Sequence, residues 1–167
     1  MSRPGSARSE SPPGGALPCG VCAIHADAVL RSRRECHRGP RWIVRHHPDP
    51  SPIAGWAFLC SLRHVQGPVD FDDGEAESFG IALRAASRAV QSATGCDRVY
   101  AIAFGQGAPH LHIHLVPRFD ADPETAAWRV ADWYRAVERG ERPAAPADDV
   151  DRVVERLRAR LREQPPE

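Results

Sequence analysis

Apolar residues follow two different periods along the chain, and each period predicts a different kind of element. Short apolar segments bounded by Gly and Pro predict strands at residues 34–38, 41–45, 53–61, 98–104 and 110–117. Helical spacing predicts one long helix over residues 73–94, which Asp72 caps and Gly95 ends. Two further helices are predicted, one from Asp122 onward and one over residues 149–162. Neighbouring strands with short connections and one crossing helix favour an antiparallel α+β domain over a doubly wound parallel sheet.

Composition adds an N-terminal tail to this picture. The chain has 167 residues, enough for one domain, and its 42% hydrophobic and 26% charged residues are typical of a globular protein. Residues 1–18 are rich in Pro, Gly and Ser, so we expect a disordered tail there. We expect the main domain over residues 19–120 and a C-terminal helical extension over residues 121–167.

The charges exclude several classes of function. With 22 basic and 22 acidic residues the net charge is +0, which argues against nucleic acid as a partner. Every basic residue is Arg, so a phosphate-loop lysine and a lysine Schiff base are excluded.

No export signal and no apolar run of membrane length is present, so we expect a cytoplasmic protein with no membrane contact. Five cysteines, an odd number, favour reduced thiols or a metal site over disulfides.

The segment from Pro109 to Arg118, PHLHIHLVPR, carries the strongest chemical signal. In a strand, alternate side chains share a face, so His110, His112 and His114 are predicted to point one way and the intervening apolar residues into the core. Two interpretations remain open from the residues alone: a metal site, or a nucleophilic histidine flanked by partners. The outer two histidines lie about 13 Å apart along such a strand, too far to bind one ion together.

A second signal is the pair Cys19-Gly-Val-Cys22. A redox pair usually follows a strand and opens a helix, whereas a Pro/Gly-rich tail precedes this one. The alternative is half of a closed zinc site, and this is the interpretation we favour.

Together these segments resemble the histidine triad superfamily, whose signature is His-x-His-x-His with apolar x. Gln106 lies four residues before His110, as in the Fhit and Hint branches. Asp49-Pro-Ser-Pro, Gly55 and an apolar strand ending at Arg63-His64 are similar to another segment of that family. The resemblance covers about residues 19–119 and implies a histidine triad-like antiparallel sheet with one long crossing helix.

The resemblance implies a nucleotidyl hydrolase or transferase. It acts at the α-phosphate of a nucleotide conjugate, such as a dinucleoside polyphosphate or a nucleoside phosphoramidate. His112 is then the nucleophile that forms a covalent nucleotidyl-histidine, and His114 and Gln106 stabilise the phosphoryl group. Asp49 corresponds to the acid that binds the ribose hydroxyls. Gly105 and Gly107, beside Gln106, are the remaining substrate-binding candidates.

In zinc-containing relatives the CxxC pair is completed by two histidines, which here are His64 and His110. The resemblance therefore implies a structural zinc on Cys19, Cys22, His64 and His110, with His25 as a competing ligand. It also implies a homodimer.

Two departures leave other functions open. Gly107 stands where the family often has Ser or Thr, and Leu62 and Arg63 stand near the place of its Lys. The main alternative is a non-catalytic nucleotide-binding sensor with the same fold. Another is an enzyme that uses His112 and His114 to bind a catalytic metal. Trp56 is expected in the core, and His46 and His47 at the surface or in a loop, with either able to border the pocket.

Overall fold

The structure, a computed structural model, describes residues 19–105 and 108–166. These ranges contain five strands and five α-helices: α1 (Gly20–Ala26), α2 (Ala28–Arg34), β1 (Glu35–Arg38), β2 (Trp42–His46), β3 (Ala57–Ser61), α3 (Asp73–Thr94), β4 (Arg98–Ala103), β5 (His112–Arg118), α4 (Ala127–Glu138) and α5 (Ala147–Glu163). Short 3-10 turns occupy Pro68–Asp70 and Pro123–Thr125. Within the described ranges no helix has the length and apolar character that a membrane crossing requires. The predicted tail, residues 1–18, lies outside these ranges.

The strands form one five-stranded antiparallel sheet in the order β1-β2-β3-β5-β4. The long helix α3 connects β3 to β4, and β5 then returns between them. The prediction of an antiparallel α+β fold with one long crossing helix is therefore confirmed. In the register of the central pair, Cys60 lies opposite His112 and Phe58 lies opposite His114.

The main core lies on one face of the sheet. Alternate strand residues, among them Leu59, Ile113 and Leu115, pack there against buried alanines of α3. Helix α5 contributes to this same core with Val150, Val154, Leu157 and Leu161. On the opposite face Ile43, Phe58 and Cys60 form a smaller cluster. The histidines of β5 share that second face because they alternate with Ile113 and Leu115.

Helix α3 begins and ends at the residues that the sequence indicates. The side chain of Asp72 accepts a hydrogen bond from the Glu75 N–H at 2.8 Å, and Glu75 accepts one from the Asp72 N–H at 3.0 Å. Gly95 ends the helix with φ 72°, a left-handed conformation that glycine adopts without strain. Buried Glu75 also pairs with Arg63 and thereby ties the loop after β3 to α3.

Most boundaries differ from the predictions by one or two residues, and three of the differences have a clear local reason. β3 begins at Ala57 and not at residue 53, because residues 53–56 form a turn in which the Trp56 N–H donates to the Ile53 carbonyl. β5 begins at His112 and not at residue 110, because the Leu111 N–H bonds to Val65 outside the ladder. The segment from Asp122 forms a 3-10 turn before α4 begins.

Candidate metal centre and active site

The two cysteines and two of the histidines singled out by the sequence meet beside the start of β5. One ligand atom from each of Cys19, Cys22, His64 and His110 lies within 4.8 Å of the other three. The His110 Nδ1 lies 3.7 Å from Cys19 Sγ and 3.4 Å from Cys22 Sγ, and the His64 Nδ1 lies 3.4 Å from Cys22 Sγ. Tetrahedral zinc with ordinary Zn–S and Zn–N bonds separates such donors by about 3.6 Å. The donor set therefore fits a closed Cys2His2 zinc site.

Three separate parts of the chain position these donors. Cys19 immediately precedes α1 and Cys22 lies in its first turn, while His64 follows β3 and His110 precedes β5. The side chain of His110 is 1% exposed, and its Nε2 lies 2.9 Å from the Ser61 carbonyl. A carbonyl only accepts, so Nε2 carries the hydrogen and Nδ1 keeps its lone pair for a metal.

The electrostatics of this cluster favour a cation. Burial lowers the pKa of His110 and keeps the ring neutral, the form that ligates metals. Burial and the neighbouring Cys19 raise the pKa of Cys22, because two thiolates repel each other in the absence of a positive charge. His25, the competing ligand, packs its ring against His110 at 5.2 Å between centroids but contributes no atom to the cluster.

The other two histidines of the run open into a cavity of about 500 Å³. A cavity of this volume is within the usual range for small-molecule sites. Among the described residues, its lining includes Trp56, Phe104, Gly105, His112, His114 and Tyr134. The histidine segment thus contributes His110 to the Cys2His2 cluster and the next two histidines to the lining of this cavity.

The backbone orients the ring of His112. Its Nδ1 lies 2.6 Å from the carbonyl oxygen of His110, so Nδ1 carries the hydrogen and donates it. The lone pair then belongs to Nε2, on the far side of a half-buried ring that lines the pocket. A neutral imidazole in this tautomer is a nucleophile.

His114 is held in the opposite tautomer by Trp56. The indole Nε1–H of Trp56 donates to His114 Nδ1 at 3.2 Å, so the remaining hydrogen of the neutral ring is on Nε2. Burial, followed by the neighbouring His112 and His47, lowers the pKa of His114 to about 3 and keeps it neutral. One histidine of the pocket therefore offers a lone pair and the other an N–H.

Trp56 is buried as expected, but its role in the site was missed. It is 2% exposed and packs in the cluster under α4, yet it also lines the pocket. The signal was present in the sequence: counting back by twos from Cys60 through Phe58 places Trp56 on the histidine face.

His46 and His47 are buried, so the prediction that they lie at the surface is wrong, whereas His47 does lie in a loop, directly after β2. The His47 ring contacts the rings of Trp56, Phe58 and Tyr134, which places it behind the pocket wall. Burial lowers the pKa of both histidines to about 4. Both use Nδ1 to donate to backbone carbonyls, and His46 Nε2 accepts the N–H of Gly55. The pair fixes the turn that precedes β3.

The predicted substrate-binding residues are placed unequally. Gly105 lines the pocket with φ 65°. Asp49 accepts a hydrogen bond from Arg34 at 2.7 Å, keeps 55% of its side chain exposed, and does not appear in the described lining. Gln106 and Gly107 lie outside the described residues. The structure thus brings His112, His114 and Gly105 together in one cavity, and the roles of all six residues stay predictions.

Comparison with known proteins agrees with this geometry. No protein-family model matches the chain, and no curated protein matches it in sequence. Among solved structures, a Zn-bound histidine triad family protein from Mycobacterium smegmatis superposes with a TM-score of 0.60 at 19% identity, over 87% of this chain and 94% of that one. A histidine triad protein from Bradyrhizobium japonicum gives 0.58 at 24% identity, over 81% and 96%. A hypothetical histidine triad nucleotide-binding protein from Sulfolobus tokodaii gives 0.60 at 14%, over 87% and 93%. The chain therefore has the histidine triad fold.

Proposed function

We propose that this chain is a nucleotidyl hydrolase or transferase that cleaves a nucleotide conjugate at its α-phosphate through a covalent intermediate on His112. One observation carries the proposal. The His110 carbonyl holds the Nδ1 hydrogen of His112, which leaves the Nε2 lone pair in a pocket beside the N–H of His114. The zinc-bound and nucleotide-binding proteins that share the fold support the same assignment.

The chemistry takes two displacements at phosphorus. In the first, the Nε2 lone pair of His112 forms an N–P bond and the bond to the leaving group breaks, its electron pair departing with the leaving group, which takes a proton from solvent. In the second, water attacks the same phosphorus, loses a proton to solvent, and the N–P pair returns to Nε2. Throughout, the Nε2–H of His114 donates to a phosphoryl oxygen. Gln106 is proposed as a second hydrogen-bond donor, through its side-chain amide.

We propose that the nucleoside binds against aromatic residues in the same pocket. Trp56 and Tyr134 line it, and Phe104, which is 54% exposed and also lines the pocket, lies 4.9 Å from the His114 ring between centroids. Aromatic faces stack on any base, which suits recognition of a nucleoside without reading its identity. We propose that Asp49 binds the ribose hydroxyls after exchanging its contact with Arg34.

We also propose that Cys19, Cys22, His64 and His110 hold a zinc ion with a structural role. When bound, the ion would cross-link three chain segments and supply no reacting group. His110 then has two functions: its side chain belongs to the metal cluster, and its carbonyl oxygen orients His112. The contact that orients His112 thus belongs to a residue of the cluster, but it joins two protein atoms and needs no metal.

The function is tested with three donors: diadenosine tetraphosphate, adenosine phosphoramidate and adenylyl sulfate. The wild-type protein is expected to release AMP from at least one of them and to show an adenylyl adduct on the peptide that contains His112. His112→Ala is expected to show neither, while His37→Ala on β1, away from the pocket, serves as the matched control. If the wild-type protein binds AMP tightly but cleaves no donor, the nucleotide-binding sensor replaces the enzyme.

A homodimer formed through the edge of the sheet is proposed as the assembly. β4 is an outer strand, and among the described residues no strand pairs with its free edge. Its Ala101 and Ala103 are exposed, so a second copy can approach the backbone closely. Light scattering is expected to give twice the mass of the chain, and a monomer at micromolar concentration overturns the proposal.

A further inference from the structure

One wall of the pocket comes from α4, a helix that lies beyond the segment in which the sequence resembles the histidine triad family. Ala131, Tyr134 and Arg135 of this helix line the same cavity as His112 and His114. The buried residues Val130 and Val137 anchor α4 in the structure. The position of Arg135 is therefore set by the helix, and its side chain can reach a ligand seated on the histidines.

The charge of Arg135 has no counterpart in the pocket. Among the described residues of the lining there is no carboxylate, and Arg135 is the one permanently charged side chain. A base and a ribose carry no net charge, and the α-phosphate is already met by His112 and His114. The remaining anionic part of a nucleotide conjugate is the group beyond the α-phosphate, and a cation on the α4 wall matches it.

Arg135 is free to exchange its present partner. It donates to Asp132 Oδ1 at 2.9 Å, but the two side chains are 61% and 79% exposed, respectively, and such an exposed pair is weak. Asp132 does not belong to the described lining of the pocket. The planar guanidinium forms two parallel hydrogen bonds with phosphate or sulfate oxygens, which a water-exposed carboxylate one turn away does not prevent.

We propose that Arg135 binds an anionic leaving group, so that the enzyme prefers substrates in which a phosphate chain or a sulfate departs over those that lose a neutral amine. This inference rests on the proposed function. As the bond between phosphorus and the leaving oxygen breaks, that oxygen gains negative charge, and the guanidinium stabilises it by hydrogen bonding. Arg135 is thus a specificity-determining residue supplied by the C-terminal part of the chain.

The first test measures binding to the full chain without catalysis. AMP ends at the α-phosphate, whereas α,β-methylene-ADP adds a phosphate that cannot be cleaved off. Arg135→Gln is expected to weaken binding of α,β-methylene-ADP about tenfold, the usual size of a charge-assisted hydrogen bond, and that of AMP less than about twofold. Arg139→Gln is the matched control, because Arg139 pairs with Glu141 and is not part of the described lining.

The second test compares kcat/KM for three donors with the same adenylyl half. The ratio of diadenosine tetraphosphate to adenosine phosphoramidate is expected to fall about tenfold in Arg135→Gln and to stay constant in Arg139→Gln. Adenylyl sulfate shows which anions the site accepts. If Arg135 binds any anionic leaving group, the ratio of kcat/KM for adenylyl sulfate to that for adenosine phosphoramidate falls equally in Arg135→Gln. If Arg135 binds phosphate chains only, that ratio stays constant.

The outcomes separate this inference from the function on which it rests. An unchanged ratio and unchanged α,β-methylene-ADP binding in Arg135→Gln overturn the role of Arg135 while the hydrolase stands. If the wild-type protein cleaves no donor and binds neither nucleotide, the proposed function fails and this inference with it.

Discussion

The two ends of one short histidine run lie in different surroundings, although their side chains are of the same kind. His110 is 1% exposed, has two cysteine sulfurs within 3.7 Å and belongs to a closed donor cluster. His112 and His114, two and four residues later, line a cavity of about 500 Å³. The difference lies in what surrounds each ring. The cysteines at the start of α1 place their sulfur atoms beside His110, whereas Trp56 and residues of α4 line the cavity beside His112 and His114.

Backbone and indole contacts enforce this division. The hydrogen of His110 is on Nε2, that of His112 on Nδ1 and that of His114 on Nε2, because each ring has a different fixed neighbour. A repeated residue can therefore supply a metal ligand, a nucleophile and a hydrogen-bond donor in turn. The following predictions separate these roles, starting from the largest effect.

Loss of the nucleophile is expected to have the largest effect. His112→Ala removes the group that forms the covalent intermediate, so kcat should fall by on the order of 10⁴-fold or more. His114→Ala removes one donor to the phosphoryl oxygen and should cost about 10²–10³-fold. Both variants should keep the metal content of the wild-type protein, as measured by atomic emission. Metal loss in either one contradicts the division of roles.

Loss of a thiol ligand is expected to act on stability. Cys22→Ser should lose zinc and several kcal/mol of the free energy of unfolding, because binding of a structural zinc is coupled to folding. Calorimetry of zinc-loaded and chelated protein measures this effect. Cys60→Ser is the control: its thiol is buried in the sheet, so it should be destabilising but should keep the metal. Equal metal loss in the two variants would show that the four-residue cluster is not the site.

Buried neutral histidines behind the pocket predict acid sensitivity. The pKa of His46 is lowered to about 4 by burial, whereas an exposed histidine in the unfolded chain titrates near 6.5. The unfolded chain therefore takes up the proton first, and stability present above about pH 6.5 is lost as the pH falls toward 4. Between pH 7 and pH 5 this loss amounts to about 2 kcal/mol for His46.

Urea unfolding of the wild-type protein and of His46→Gln at pH 7 and pH 5 measures that loss. The variant lacks the titrating ring, so its stability should fall by about 2 kcal/mol less over the same interval. Neighbouring charges on Arg34, Asp49 and the ring of His47 are present in both proteins and cancel in the comparison. Identical pH dependence in the two proteins rules out His46 as the source.

The smallest effect is expected from the indole that orients His114. Trp56→Phe keeps an aromatic ring but removes the N–H to His114, so kcat/KM should fall about tenfold with little change in metal content. Trp42→Phe is the matched control, because its indole donates to Ser78 on the other face of the sheet. It should lower stability and leave turnover unchanged. Equal losses of turnover in both variants indicate a general packing effect.

The sequence predicts the sheet and the long helix through local signals, namely alternation and a capping box. It predicts the metal cluster from the Cys19-x-x-Cys22 pair and from the family resemblance, which implies His64 and His110 as the other ligands. It does not predict contacts between distant segments. The burial of His47 follows from its packing against Trp56 and Tyr134, and Tyr134 lies far along the chain on α4. The α4 wall of the pocket likewise depends on how the C-terminal segment folds back.

The most direct test of the separate roles proposed for the three histidines measures zinc content and adenylyl-adduct formation on the same preparations. We predict that wild-type protein has one zinc per chain and forms the adduct, that His112→Ala keeps the zinc and forms none, and that Cys22→Ser loses the zinc. Brief chelation of the folded wild-type protein should leave the rate unchanged. Zinc loss in His112→Ala, or an immediate stop of turnover on chelation while the protein stays folded, would contradict the account.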